Sequence, residues 1–263
     1  MDFFQPENSL NDLSRFSSVA MLFNGFFLED RIKGYETLKV SGREVLNYQI
    51  NNKSDIPGRN GSLILDKTLP ERVLTITYRI MAEDNEDLQN KFRQLNKLLD
   101  TNDDVPIKFR DDLNFTFYGQ VKDFGEVADD TNNIVSTFSI LCSDPYKYKN
   151  GYTVKGNPVV IKQDTYSTNP DLITIKLLSN TNSIVISNKN TDKKIILNGN
   201  YYANQEIKVN INNNEITKNG QNVMKDLAFE VTDFHGFTVN KDDEISVTPS
   251  DSKVEMLVRS KWK

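Results

Sequence analysis

The residues that could carry out acid, base or nucleophilic chemistry are few in this chain. One histidine, His235, and one cysteine, Cys142, occur among 263 residues. A lone histidine excludes a His-rich metal site, and a lone cysteine excludes an internal disulfide and a thiolate metal cluster. No G-x-S-x-G motif supplies a turn for a nucleophilic serine. We therefore interpret His235 as a loop residue, with Gly236 supplying the turn, and Cys142 as a buried, unreactive thiol.

Adjacent aspartates could serve glycoside hydrolysis or calcium binding. Four such pairs occur, all in predicted turns: Asp103-Asp104, Asp111-Asp112, Asp129-Asp130 and Asp242-Asp243. Neighbouring turn residues usually point apart, and no pair lies in a D-x-[DN]-x-[DN]-G calcium loop, so we interpret them as solvated turn residues. The sequence thus predicts no enzyme: no catalytic, cofactor-binding or metal-binding residue, and no cofactor.

Two short segments could contact a ligand or a partner. The first is the PGRNG segment, made of Pro57, Gly58, Arg59, Asn60 and Gly61. It could hold an anion against its arginine, but it lacks the lysine and the spacing of a phosphate-binding loop, and a tight turn between two strands is the alternative.

The second segment is the tyrosine pair Tyr201-Tyr202, which stands beside Asn198 and Asn200. An aromatic ring flanked by amides can contact the face of a sugar. Successive residues of a strand face opposite sides, so only one of the two rings can join such a platform. The other would cover the core of the hairpin, and both interpretations are open at this stage.

Composition indicates an acidic globular protein. The 32 Lys and Arg residues against 37 Asp and Glu residues give a net charge of −5, which disfavours a protein that binds nucleic acid through a basic surface. Hydrophobic residues make up 37% of the chain, yet no run of about 18 of them occurs, so we expect no membrane insertion. The first 20 residues also lack the basic start and apolar core of a secretory signal.

Apolar residues alternate along much of the chain, which predicts half-buried strands. The four series are Leu74, Ile76, Tyr78 and Ile80; Ile173, Ile175 and Leu177; Ile207, Val209 and Ile211; and Val254, Met256 and Val258. Asn-Gly pairs favour two-residue hairpin turns, and five are present: Asn24-Gly25, Asn60-Gly61, Asn150-Gly151, Asn198-Gly199 and Asn219-Gly220. The fold is therefore predicted to be mainly β.

One stretch has helical spacing, from Glu83 to Asp100. Its apolar residues recur every three or four positions after a capping Asp84 or Asn85, namely Leu88, Phe92, Leu95 and Leu99. We predict one main helix packed on a sheet, with a partner-binding helix as the alternative. Residues 7–16 predict a second, weaker helix.

Composition changes near residue 150. Helical spacing is confined to the part before it, whereas short Ile- and Val-rich strands and Asn-rich loops follow it. This pattern predicts an α+β domain over residues 21–148 and a β-sandwich over residues 149–263, after an N-terminal extension over residues 1–20.

The order of several motifs resembles a known family. FNGFFLED, GYETLKVSGRE, PGRNG, SLILDKTLPERVLTITYRI, VPIKF and FTFYGQV follow one another before STFSILCSDPYKY. The CSDPYKY segment, Cys142 to Tyr148, is the most specific of them, and NPVVIK, ILNGNYY and VEMLVRSKWK extend the match from about Met21 to the end. The sequence resembles the distal tail (Dit) proteins of siphophages that infect Gram-positive bacteria.

The resemblance implies a structural protein of the phage tail tip. It implies a hexameric ring formed by the N-terminal domain and a galectin-like C-terminal sandwich. The implied partners are further copies of the chain, the tail-tube protein, the tail-associated hub protein and receptor-binding or side-fibre proteins, with DNA only passing through the channel. The implied location is the virion, after assembly in the host cytoplasm.

Among the exposed segments, we predict that Pro57, Gly58, Arg59, Asn60 and Gly61 belong to the ring interface. Two other functions are weighed against the hub. A carbohydrate-binding adhesin would use Tyr201 or Tyr202, and a cell-wall hydrolase would need an acid pair or metal set that the sequence does not provide.

Overall fold

The computed structural model describes residues 16–44, 48–54, 57–58, 60–127 and 131–263. The predicted helix over residues 7–16 lies outside the described residues except for Phe16. The same holds for residues 1–15 of the predicted extension, for Arg59 and for the Asp129-Asp130 pair.

The chain divides into two compact units, residues 1–147 with Lys263 and residues 148–262. The elements of the first are β1 (Met21–Phe23), β2 (Phe26–Phe27), α1 (Leu28–Arg31), β3 (Tyr35–Ser41), β4 (Gln49–Lys53), β5 (Leu63–Thr68), β6 (Arg72–Met81), α2 (Asn85–Leu99), β7 (Val105–Phe109), β8 (Asp112–Phe124) and β9 (Asn133–Cys142). A short strand, β10 (Lys147–Lys149), begins at Lys147 and continues into the second unit.

Seven strands of the first unit form an antiparallel sheet in the order β2-β1-β7-β8-β9-β6-β3. The alternating residues of β6 predicted to be buried are 0–1% exposed. They join one core with the apolar face of α2 and with alternate residues of β9. Burial of these side chains is the main source of stability, at about 1.5–3 kcal/mol for each large one.

The predicted main helix is confirmed as α2. Asp84 caps it, because its carboxylate accepts a hydrogen bond from the Asp87 backbone N–H at 2.8 Å. Leu88, Leu95 and Leu99 face the core. The short helix α1, which no sequence pattern indicated, lies before β3.

Arg72, at the start of β6, ties three parts of the first unit together. Its side chain is 4% exposed, and its Nε donates to the Pro145 carbonyl at 2.8 Å. Its Nη1 donates to the carbonyls of Gly42 and Arg43 at 3.0 and 2.8 Å, and its guanidinium lies 5.4 Å from the centre of the Phe117 ring. The end of β3 and the CSDPYKY segment are therefore fixed to one side chain.

The second unit is a β-sandwich. Its elements are β11 (Tyr152–Lys155), β12 (Val159–Val160), β13 (Leu172–Lys176), β14 (Thr181–Asn188), β15 (Lys194–Tyr201), β16 (Glu206–Asn210), β17 (Glu215–Lys218), β18 (Gln221–Asn222), β19 (Glu244–Thr248), β20 (Lys253–Val258) and β21 (Lys261–Trp262), with 3-10 turns at Met224–Asp226 and Phe229–Val231. One sheet has the order β11-β20-β13-β16-β17-β18 and the other β12-β19-β14-β15.

The two sheets enclose a core that contains all of the alternating residues predicted for this half of the chain. The mainly β fold is thus confirmed, and among the described residues no helix is long and apolar enough to cross a bilayer.

The Asn-Gly prediction holds at two hairpins and fails at a third. Asn24-Gly25 joins β1 to β2 and Asn219-Gly220 joins β17 to β18, with positive φ at all four residues. Asn198-Gly199, by contrast, lies within β15. A Cβ added to Gly199 would stand 2.8 Å from a carboxylate oxygen of Asp226, so this glycine provides room and no turn.

The role of Arg72 can be tested with Arg72→Lys, which keeps the charge but cannot reach three carbonyls in the same geometry. We expect the free energy of unfolding to fall by about 1–3 kcal/mol, because buried carbonyls lose their donors. Urea denaturation, followed by the helical circular dichroism signal, measures this change, because α2 lies in the first unit. Arg93→Lys, on the exposed face of α2, is the matched control, and an equal loss in both variants would contradict the assignment.

Candidate assembly interface

The strands β4 and β5 form a hairpin that we call the arm. They pair with each other from Gln49↔Thr68 to Lys53↔Leu63, and the described residues contain no third strand in this sheet. The predicted interface residues Pro57, Gly58, Asn60 and Gly61 lie in the connection between the two strands, while Arg59 lies outside the described residues. Gly58 and Gly61 have φ values of +76° and +83°, which glycine adopts without strain.

Every side chain of β4 and β5 is exposed. Ile50, Ile64 and Leu65 have exposed fractions of 50%, 61% and 63%. Ile50 and Ile64 lie on the same face, since Ile50 pairs with Lys67 and Asn52, two residues further on, pairs with Ile64. A two-stranded hairpin is at best marginally stable in water, so an arm with this apolar face gains stability from a partner surface.

The base of the arm is held by contacts to Tyr48. Lys67 Nζ lies 3.9 Å from the centre of the Tyr48 ring, and Lys263 Nζ donates to the Tyr48 hydroxyl at 2.9 Å. The hydrogen bond from Lys263 and the charges of both lysines lower the pKa of Tyr48. These contacts anchor the root of the arm and leave its length uncovered.

The two tyrosines proposed for sugar contact face opposite ways. Tyr201 is 1% exposed, and its hydroxyl donates to the Asp226 carboxylate at 2.9 Å. Burial, together with this carboxylate, raises the pKa of Tyr201. Tyr202 is 57% exposed. Of the pair, Tyr202 alone presents its ring to the outside.

Cys142 and His235, the two residues considered for chemistry, lie in positions that fit a structural role. Cys142 is fully buried, and burial raises the pKa of its thiol to about 12, as expected for an unreactive cysteine. His235 is exposed in a turn between the buried Phe234 and Phe237, as predicted.

Two of the acid pairs serve local structure, and the interpretation as solvated turn residues is wrong for Asp243, which is 4% exposed. Asp111 accepts two bonds from Arg43 at 2.7 and 2.9 Å, and Asp243 accepts from the Asn188 side chain at 2.7 Å. Among the described residues, no group of three or more His, Cys, Asp or Glu side chains could hold a metal ion.

The sequence analysis singled out the glycine-rich connection and missed the apolar residues of the arm. The signal was the run Leu63-Ile64-Leu65, which follows PGRNG after Ser62. Such a run is typical of a buried strand, so the pattern alone does not indicate an exposed surface.

Comparisons with known proteins identify the family. Residues 31–198 match the family described as phage tail protein RIFT-related domain, and residues 164–262 match the siphovirus-type tail component, C-terminal domain. The distal tail protein of Bacillus phage SPP1 is 32% identical over 130 residues, and the chain spans about half (49%) of the length of this curated relative. The chain belongs to the siphophage distal tail (Dit) family.

Solved structures show the same fold. The Dit protein of phage SPP1, described as a paradigm of the hub adsorption apparatus in phages that infect Gram-positive bacteria, aligns with a TM-score of 0.77 and 20% identity. The alignment covers 92% of this chain and 99% of that one. A chain of the phage P2 baseplate in its activated conformation with Ca aligns with a TM-score of 0.51 and 9% identity, over 85% and 90% of the two chains.

The different placement of the two tyrosines predicts different effects of the same substitution. Tyr201→Ala should lower the free energy of unfolding by about 3–5 kcal/mol, because it leaves a cavity in the sandwich core. Tyr202→Ala should change it by less than about 0.5 kcal/mol. The fluorescence of Trp262, within the second unit, reports the unfolding in urea, and similar losses in both variants would contradict this placement.

Proposed function

We propose that this Dit protein forms a hexameric ring that joins the tail tube to the tail tip or baseplate. The observation that carries the proposal is the arm, because its exposed apolar side chains have no partner surface among the described residues of its own chain. Membership of the Dit family supports a tail-tip location in the virion, after assembly in the host cytoplasm. The first unit would build the ring, and its arm would contact a neighbouring copy.

Charge supports the passage of DNA through such a ring. Residues 1–147 contain 17 Lys and Arg against 24 Asp and Glu, a net charge of −7, whereas residues 148–263 carry 15 against 13. A basic channel would retain phosphate by releasing counterions, and an acidic ring domain would not. The charge difference therefore favours residues 1–147 as the part that surrounds the channel.

The second unit would provide attachment for other tail proteins. Phe229 and Val231, at 66% and 61% exposure, lie in a 3-10 segment beside β15. Such exposed apolar side chains on a polar sandwich suit a receptor-binding or side-fibre protein. The tail-tube protein and the tail-associated hub protein would contact the ring itself.

A structural role fits the chemistry of the chain better than the alternatives. The thiol is buried, and the two acid pairs described above hold other residues in place. A carbohydrate-binding adhesin is less well supported, because Tyr201 belongs to the sandwich core and leaves Tyr202 as the one exposed ring of that pair.

Light scattering tests the ring. We expect a mass near six times 30.1 kDa for the purified protein. Ile64→Asp should shift it to the monomer, because a charge in a buried interface lacks a partner. Val231→Asp is the matched control, since Val231 and Ile64 are both 61% exposed, and it should leave the mass unchanged. A wild-type monomer at every accessible concentration would contradict self-assembly, and an intact Ile64→Asp ring would contradict the role of the arm.

A further inference from the structure

A ring places a requirement on each copy that the arm alone does not meet. In a closed ring with cyclic symmetry, one surface of a copy contacts a different surface of the next copy. If the arm is one of these surfaces, the chain must also carry a second one that receives it. This inference therefore rests on the proposed ring.

A groove with both apolar and polar lining residues runs along α2 beside the end of β8. It consists of two adjoining cavities of about 700 and 480 Å³, which share Asn96 and Phe124. Leu88, Phe92 and Val127 also line the larger one. The Phe124 ring is 48% exposed although it lies beside the buried ring of Phe138, at 5.9 Å between centres. The groove thus ends on an aromatic ring that its own chain covers only in part.

The groove lies next to an open strand edge. β7 pairs with β8 only as far as Val105↔Gly119, and β9 pairs with β8 on the other side from Gln120 to Phe124. β10 also pairs with β8, with Lys147 Nζ 4.8 Å from the centre of the Phe115 ring, and the described residues place no further strand on the β7 side of β8 beyond Gly119. Free backbone N–H and C=O groups at such an edge can pair with a strand from another chain.

The ends of the sheet offer less room for an added strand. β2 contains only Phe26 and Phe27. At the opposite end, the Thr37 backbone N–H of β3 donates to the Glu29 carboxylate at 3.0 Å, and a bulge interrupts the strand after Thr37. A side chain and a bulge of this kind block further pairing. The open edge of β8 is therefore the one best suited to receive a strand.

The arm matches the groove in length and in chemistry. The six residues of β5 span about 20 Å at ~3.3 Å each, and the 15 residues of α2 span about 22 Å at ~1.5 Å each. The polar side chains along the groove are the amides of Asn85, Gln89 and Asn96, together with Lys97, Asp100 and Thr101 in the smaller cavity. The arm offers Ile50 and Ile64 on one face, with amide side chains nearby in β4.

We propose that the arm of one copy docks in the α2–β8 groove of the next copy and adds a strand to the open edge of β8. The apolar face of the arm covers Phe124 there, and backbone pairing fixes its register. Each copy thus donates one arm and receives one, which lets the contact repeat around the ring until it closes.

Cysteine cross-linking tests the contact in the full chain. Ile64→Cys and Phe124→Cys are combined in one protein, and the buried Cys142 is left in place. A short bismaleimide should give a ladder of covalent oligomers up to the hexamer on a denaturing gel. Each single variant should stay monomeric on the gel, because the contact joins two different surfaces. Val231→Cys combined with Phe124→Cys is the control and should give no ladder.

The other outcomes separate this inference from the proposed ring. A ring seen by light scattering, with no ladder from the double variant, would overturn the groove as the docking site and leave the ring standing. A cross-link within single chains would overturn it too, since the arm would then fold onto its own groove. Absence of any ring would overturn the proposed function itself.

A second variant gives an independent measurement. Phe124→Asp should shift the light-scattering mass to the monomer as Ile64→Asp does, and Phe229→Asp, at a comparably exposed phenylalanine of the sandwich, should not. Circular dichroism checks that each variant is folded. A folded Phe124→Asp protein that still forms the ring would contradict the proposal.

Discussion

The first unit depends on the guanidinium of Arg72. One buried cation holds the carbonyls of Gly42 and Arg43, where the chain leaves β3 for the arm, and the carbonyl of Pro145 before the chain enters the second unit. No other residue fits at position 42, because a Cβ would stand 2.1 Å from the Val73 carbonyl oxygen and the φ of Gly42 is +91°. The end of β3 and the CSDPYKY segment thus share one anchor in the sheet.

Patterns that depend on neighbouring residues could be predicted from the sequence. Alternation places Leu74, Ile76 and Tyr78 on one face of a strand whatever surrounds it, and the spacing of the α2 leucines does the same for a helix. Asn24-Gly25 forms a hairpin turn for the same local reason. Asn198-Gly199 has the same two residues but lies in a strand, where Gly199 leaves room for Asp226, which is distant in sequence. The residues next to Gly199 in the sequence do not indicate that contact.

The arm could not be predicted for a different reason. The Leu63-Ile64-Leu65 run has the composition of a buried strand, and in the single chain these residues are exposed. Apolar patterning shows that a segment gains by burial, but it does not show which chain supplies the cover. The sequence analysis recognised the connection at the tip through its glycines, which are a local signal. It assigned no role to the isoleucines, whose proposed role requires another copy.

The proposed assembly role also fits the scarcity of histidine and cysteine in the chain, which has one of each. An assembly protein needs complementary surfaces, and its charged groups are best used to fix those surfaces. Asp111 holds Arg43 beside the Phe109 ring just after β3, and Asp84 fixes the start of the helix that borders the groove. Both carboxylates act through geometry, since each satisfies donors whose position sets the direction of a segment. If the arm docks in the groove, Asp84 sets the direction of the helix that receives it.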